Sequence, residues 1–164
     1  MKKTVILPLF LAFSALFSLC ACKKAIRYTD QLHAEELAEE ALEELDHPDF
    51  QRASGDWLSD YVTLPEGLND YEIRFSSDGN NLNEFGIWHV RDDQVAPMEA
   101  TLRAYLAESL LRNRDFYDSY IPTETPKLAN AEVRVFGNYV CYAILDDKDR
   151  STFFHTVEEE LIHD

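Results

Sequence analysis

The stretch Glu132-Val133-Arg134-Val135-Phe136-Gly137-Asn138-Tyr139-Val140-Cys141-Tyr142-Ala143-Ile144-Leu145-Asp146 decides the fold. Two apolar-rich runs flank Gly137-Asn138, and a Gly-X pair suits the two-residue type II′ turn of a β-hairpin. That turn sets a register in which Phe136 faces Tyr139, Val135 faces Val140 and Val133 faces Tyr142. Successive side chains of a strand point to opposite faces. One face therefore carries Val133, Val135, Val140, Tyr142 and Ile144, and is expected to meet the helices. The other carries Arg134, Phe136, Tyr139, Cys141 and Ala143, polar at one end and aromatic at the turn.

Upstream, Tyr71, Ile73 and Phe75 alternate with Glu72, Arg74 and Ser76, the period of a half-buried strand. Asp78-Gly79-Asn80-Asn81 is a turn, and a second strand runs from Glu84 to Val90. Asp92 or Asp93 then caps a long helix from about Gln94 to Tyr117, with Pro97 in its first turn. Met98, Leu102, Tyr105, Leu106, Leu110 and Tyr117 form its apolar stripe, and Ile121-Pro122 closes it. After the decisive hairpin, Asp146-Asp147-Lys148-Asp149 leads into a last helix with Phe154, Val157 and Leu161 inward.

Asp30 is placed to cap an earlier helix beginning near Gln31, where Ala34, Leu37, Ala38, Ala41, Leu42 and Leu45 recur at helical spacing. Its other face carries Glu35, Glu36, Glu39, Glu40, Glu43 and Glu44. Like charges four residues apart destabilise an isolated helix, so packing of the stripe must hold it. Pro48 disfavours helical geometry at His47 and ends it. Between Phe50 and Asp70, Gly55, Pro65 and Gly67 punctuate the chain, and Trp57, Leu58, Tyr61, Val62 and Leu64 suggest a helical turn or short strand on the core. The order helix, hairpin, helix, hairpin, helix predicts an α+β fold. Two ββα units would form a four-stranded antiparallel sheet with helices packed on one face. The alternative places the hairpins on separate sheets.

The N-terminus has a different character. Met1-Lys2-Lys3 is positive, Val5 to Leu19 is apolar, and Ala21 precedes Cys22. This is the layout of an export signal, and Leu19-Cys20-Ala21-Cys22 fits a bacterial lipobox cut before Cys22. The expected organisation is a lipoprotein signal peptide over 1–21, a tether over 22–29, and one α+β domain over 30–164. Lipid on Cys22 would hold the chain on the outer face of a bacterial cell membrane. Two other readings compete. The apolar run, interrupted by Pro8 and followed by Lys23, Lys24 and Arg27, could stay uncleaved as an anchor, although it falls short of the about 20 residues that span a bilayer. A secretory signal with release of the chain is the second, and it leaves the placement of Cys22 unexplained.

The charge favours an anchor that does not depend on attraction. Fifteen Lys and Arg against 31 Asp and Glu give −16, and loss of Lys2 and Lys3 with the leader takes −16 to −18. Such a charge repels phosphate backbones and anionic lipid headgroups, so no nucleic-acid partner is expected. Two or three acyl chains, each contributing about 0.8 kcal/mol per buried CH₂, outweigh that repulsion. With Cys22 alkylated, Cys141 has no partner in the mature chain, and it is read as a packed strand residue.

Catalytic and metal signatures are not found. His33, His47, His89, His155 and His163 have no i,i+4 pairing and no zinc-protease spacing. The loop from Asp78 to Glu84 is rich in oxygen, but His89 stands where a calcium loop needs its twelfth, acidic ligand. No nucleophile elbow or phosphate-binding glycine loop occurs. No catalytic residue, cofactor or metal is assigned.

Several pieces together resemble an uncharacterised family of small lipoproteins from Gram-positive bacteria, domain of unknown function 4358. They are the acidic helix after the lipobox and the strand Asn83-Glu84-Phe85-Gly86-Ile87-Trp88. The long helix running into Tyr120-Ile121-Pro122, and Gly137-Asn138-Tyr139-Val140 with Asp146-Asp147, complete the set. Trp88-His89 is bulkier than the aliphatic strand expected there. The resemblance covers about Asp30 to Leu161 and implies an extracytoplasmic, lipid-anchored domain with no known activity. The leading expectation is a tethered binding or interaction module with an unidentified protein or small-molecule partner. An envelope hydrolase using carboxylates and a divalent-cation-binding surface protein are the alternatives.

Overall fold

The computed structural model describes residues 26–45, 47, 49–55 and 62–162. The expected signal peptide, Cys22 and most of the tether lie outside them, as do Trp57, Leu58, Tyr61, His163 and the side chain of Leu110. The protein is α+β. In chain order the elements are α1 (Ala34–Glu44), β1 (Phe50–Arg52), β2 (Leu68–Ser76), β3 (Glu84–Val90), a 3₁₀ turn (Asp92–Gln94), α2 (Val95–Tyr120), α3 (Thr125–Ala129), β4 (Glu132–Phe136), β5 (Tyr139–Ile144) and α4 (Asp147–Leu161).

The five strands form one antiparallel sheet in the order β1-β2-β3-β5-β4. The fifth strand, β1, has only three residues and pairs Phe50 with Ser76 at the sheet edge. The β4–β5 hairpin has the expected register, Phe136 to Tyr139, Val135 to Val140 and Val133 to Tyr142. Gly137 takes φ +58°, the left-handed value that the first position of a II′ turn requires.

The expectation that helices cover one face is corrected. Ala34, Leu37, Ala38, Ala41 and Leu45 of the α1 region pack with Phe153, Phe154, Val157 and Leu161 of α4 against Phe85, Ile87, Tyr139, Cys141 and Ala143. On the opposite face, Met98, Leu102, Tyr105 and Leu106 of α2, with Leu128 of α3, cover Ile73, Trp88, Val90, Val133, Val140, Tyr142 and Ile144. All six residues of β5 are buried. A central strand covered on both sides has no solvent face, so its run is apolar throughout. Full burial of each large apolar side chain contributes roughly 1.5–3 kcal/mol, more than a like-charge pair on the exposed glutamate face of α1 costs (about 0.2–0.5 kcal/mol).

Four further expectations change. Helix α1 starts at Ala34 with His33 as its N-cap residue. The Glu36 carboxylate accepts the His33 N–H, and Asp70 of β2 accepts the Ala34 N–H. Asp30 is engaged elsewhere. On β2, Glu72 and Ser76 are buried although the alternation placed them outward, because α1 packs over that face and the side chains of Arg52 and Asp49, from the neighbouring edge, reach them. Glu72 accepts from the Arg52 guanidinium and pairs with Arg74 Nε at 2.7 Å. Helix α2 begins after the 3₁₀ turn, with Gln94 and no side-chain cap bond. In the segment after β1, Val62 is buried but Leu64 is half exposed.

Gly86 lies opposite Tyr142 on β5, and a Cβ there would stand 2.3 Å from the tyrosine ring. The ring can therefore lie across the β3 backbone and carry its hydroxyl to Glu84.

Candidate functional site

Strand directions define two ends of the sheet. The Gly137-Asn138 turn, the last residues of β3 and the start of α1 share one end, the entry pole. The 78–81 turn, Glu84, the end of α1 and the start of α4 share the other, the far pole. Each holds a histidine–carboxylate pair that the chain assembles from distant positions.

At the far pole, His47 follows α1 and Asp149 lies in the first turn of α4. His47 Nε2 stands 2.6 Å from Asp149 Oδ2, with Asn83 Nδ2 at 3.4 Å. The Asn83 oxygen accepts from Lys127 Nζ at 2.8 Å, and Lys127 also bonds Asn81 and pairs with Glu124 at 2.8 Å. Glu124 in turn accepts the Leu82 N–H. A continuous polar chain therefore runs round the start of β3, joining α3 on one face of the sheet to α1 and α4 on the other. Beside it opens a cleft of about 280 Å³ lined by Glu44, His47, Asp146, Lys148, Asp149 and Thr152. Asp146 is the N-cap of α4 and accepts the Lys148 and Asp149 N–H groups. The Asp149 N–H foremost holds its carboxyl below the ordinary carboxylate value.

Deeper at this pole, Glu84 Oε1 accepts the hydroxyls of Tyr105 and Tyr142, each at 2.7 Å. Burial pushes the Glu84 carboxyl up, and the two hydroxyl donors counter it. Burial, with the charge of Glu84, pushes the Tyr142 hydroxyl well above its usual range.

At the entry pole, the segment before α1 is stitched to the sheet. Tyr28 bridges Ile162, and the Thr29 N–H reaches the Leu161 carbonyl at 2.8 Å. Asp30 Oδ1 faces His89 Nε2 at 2.7 Å and accepts from Asn138 Nδ2 at 3.0 Å. The Tyr139 hydroxyl donates to the Leu32 carbonyl. Asp70 accepts the Ala34 N–H and faces His33 Nδ1 at 2.9 Å. His33 is held above its usual value, first by the bond to Asp70 and then by that charge.

The residues singled out from sequence have these positions. Cys22 lies outside the described residues. The six glutamates of α1 are exposed, with Glu35 paired to Arg52 at 3.2 Å. Cys141 is fully buried, and burial pushes its thiol far up. Asp78 spends its side chain on its own turn, accepting the Asn80 N–H at 2.9 Å. Among the described residues, no group of three or more His, Cys, Asp or Glu is arranged to hold a metal ion, and no helix is long and apolar enough to cross a membrane. Sequence spacing could not reveal His47–Asp149 or His89–Asp30, whose partners stand 102 and 59 residues apart.

No family model, no curated protein and no solved structure matches the chain.

Proposed function

We propose that the chain is a lipid-anchored binding module, tethered through Cys22 to the outer face of a bacterial cell membrane. Its far-pole cleft would face away from the anchor. The resemblance to the lipoprotein family implies the same location. One observation carries the reading: the segment leading from the tether docks at one end of the sheet, and the cleft opens at the other. Six residues of β5 at about 3.3 Å each put roughly 20 Å between these ends. The cleft carries three carboxylates, Glu44, Asp146 and Asp149, against one lysine. That balance suits a cationic group on a protein or small-molecule partner. A −16 chain disfavours nucleic acid.

Two measurements test this reading. Mass spectrometry of the N-terminus of the full chain from a bacterial host is expected to find acylated Cys22, and Cys22→Ala is expected to leave the membrane pellet. An intact Met1 terminus would refute the anchor. Calorimetry with a short oligolysine peptide at low salt is expected to give saturable heat that Glu44→Gln weakens several-fold. Absence of heat would refute the cationic-ligand half.

One observation favours the envelope hydrolase as a second reading. His47 is positioned by Asp149 in a cleft with Thr152, the pairing in which a carboxylate orients an imidazole base. Turnover of ester or glycoside substrates that survives His47→Gln unchanged would dismiss it.

A further inference from the structure

We propose that the overhanging C-terminal end of α2 is a docking face for an arginine-bearing segment of a protein partner, whose guanidinium stacks on the exposed rings of Phe116 and Tyr120. This face is separate from the cleft, and the inference depends neither on the cleft's ligand nor on the lipid anchor.

Helix α2 is longer than the sheet it covers. Its 26 residues run about 39 Å at roughly 1.5 Å each, about twice the length of β5. It starts beside the last residues of β3 at the entry pole and ends at the far pole, where Glu124 accepts the Leu82 N–H. Its buried side chains, Met98, Leu102, Tyr105, Leu106 and Ser109, all lie at or before Ser109. Beyond Ser109, every described side chain of α2 is exposed except Tyr117, which packs on the core. Thr125 Oγ1 donates to Asp118 at 2.8 Å and braces the end of the helix. On this overhang Phe116 is 53% and Tyr120 75% exposed, and their rings lie 5.1 Å apart, inclined by 32°. The core gains nothing from two rings left in water, and contiguous apolar surface of this kind marks a contact.

Charge selects the occupant. The C-terminal end of a helix carries a partial negative charge, and no basic residue stands in the last turn of α2 to offset it. Arg112 pairs with Glu108 and Arg114 with Asp118, each at 3.6 Å. Asp115, exposed beside Phe116, has no ion-pair partner among the described residues. Tyr117 senses the same field: burial first, then the charges of Glu124 and Glu84, hold its hydroxyl above the usual value. The face of an aromatic ring is itself negative and attracts a cation lying within about 6 Å of its centre. Ring faces, helix end and carboxylates therefore call for the same positive group. A guanidinium is flat, weakly hydrated and able to stack, where an ammonium is compact and keeps its water. It can lie on one ring of the pair and turn its N–H groups to Asp115.

The test is an NMR titration of the full chain in neutral detergent at low salt, with a capped Gly-Arg-Gly-Arg-Gly peptide as the probe. The ring resonances of Phe116 and Tyr120 and the Asp115 amide are expected to shift saturably. The same peptide with neutral citrulline for arginine is expected to leave them in place. Phe116→Leu/Tyr120→Leu keeps the net charge and an apolar surface and removes only the rings. It is expected to weaken binding roughly fivefold, read at the Asp115 amide, as loss of exposed cation–π contacts predicts. Glu44→Gln is expected to leave the Phe116 and Tyr120 titration unchanged, which separates this face from the cleft. Both rings are exposed, so the Tm of the double variant is expected to match that of the wild-type chain. Shifts of equal size with the citrulline peptide or with maltotriose, or full affinity in the double variant, would overturn the assignment. So would rings that do not respond, or a double variant that melts several degrees lower, since the pair would then serve the fold.

Discussion

Two histidine–carboxylate pairs stand at opposite ends of one sheet. At the entry pole, His89 is 9% exposed and lies between two carboxylates, and every polar group near it ties the N-terminal segment down. At the far pole, His47 is 25% exposed, has one carboxylate partner and borders an open cleft. The same residue pair is a fastening where chain covers it and a surface where chain leaves it uncovered. The two ends also differ in how pH acts on them. His33 at the entry pole is held high, so its contribution is full in mild acid and fades as pH rises. Asp146 at the far pole is held low, so its contribution is full near neutrality and fades as pH falls.

Leu37→Ala should have the largest effect. Leu37 is 1% exposed in a helix that runs from one pole to the other. Its truncation is expected to cost about 3 kcal/mol and to lower Tm by roughly 10 °C. A calorimetric scan should still show one transition. Two separated transitions would mean that the poles melt as independent bodies, and the contrast between them would lose its basis.

Asp146→Ala comes next, at about 1 kcal/mol for a lost helix cap. The carboxyl is held below its ordinary value, so the deficit should be full at pH 7 and shrink as pH falls through that lowered value. Denaturant melts at pH 7 and near pH 2.5 measure it. A deficit that grows in acid would reverse the sign assigned to the far pole. His47→Gln is the smallest, about 0.5 kcal/mol or less, as expected for a partly exposed pair. A Tm loss equal to that of Leu37→Ala would make His47 a structural fastening like His89 and erase the difference.

Much of this arrangement was legible in the sequence. The Gly137-Asn138 turn carried the hairpin register because a two-residue loop leaves one pairing. The α1 stripe followed from its helical spacing, and β3 from the Asp78–Asn81 turn that precedes it. The covered second face was not read, because Arg134 at the start of the β4–β5 hairpin made that side look solvated. Arg134 is exposed and lies over the Phe154 ring at 4.4 Å, its stem on the core and its charge in water. Three-residue β1 carries no period to detect, and burial of Glu72 depends on Arg52 and Arg74 arriving from two strands. Asp30 had the chemistry of a helix cap, and only the three-dimensional approach of His89 assigned it elsewhere. The polar chain at the far pole joins residues from four separate segments, so no local pattern announces it.

The Tyr28–Ile162 bridge places the beginning and the end of the described chain side by side. Anything appended beyond Ile162 would share its corner with whatever the N-terminal segment carries. A reporter or affinity handle added there would crowd the entry corner and leave the cleft unobstructed. The Asp78–Asn81 loop, whose bonds are largely internal, is the insertion point that would put cargo at the opposite extremity. Closure of the two ends also makes the topology nearly circular, so a short linker across the bridge could rejoin them with the sheet order unchanged.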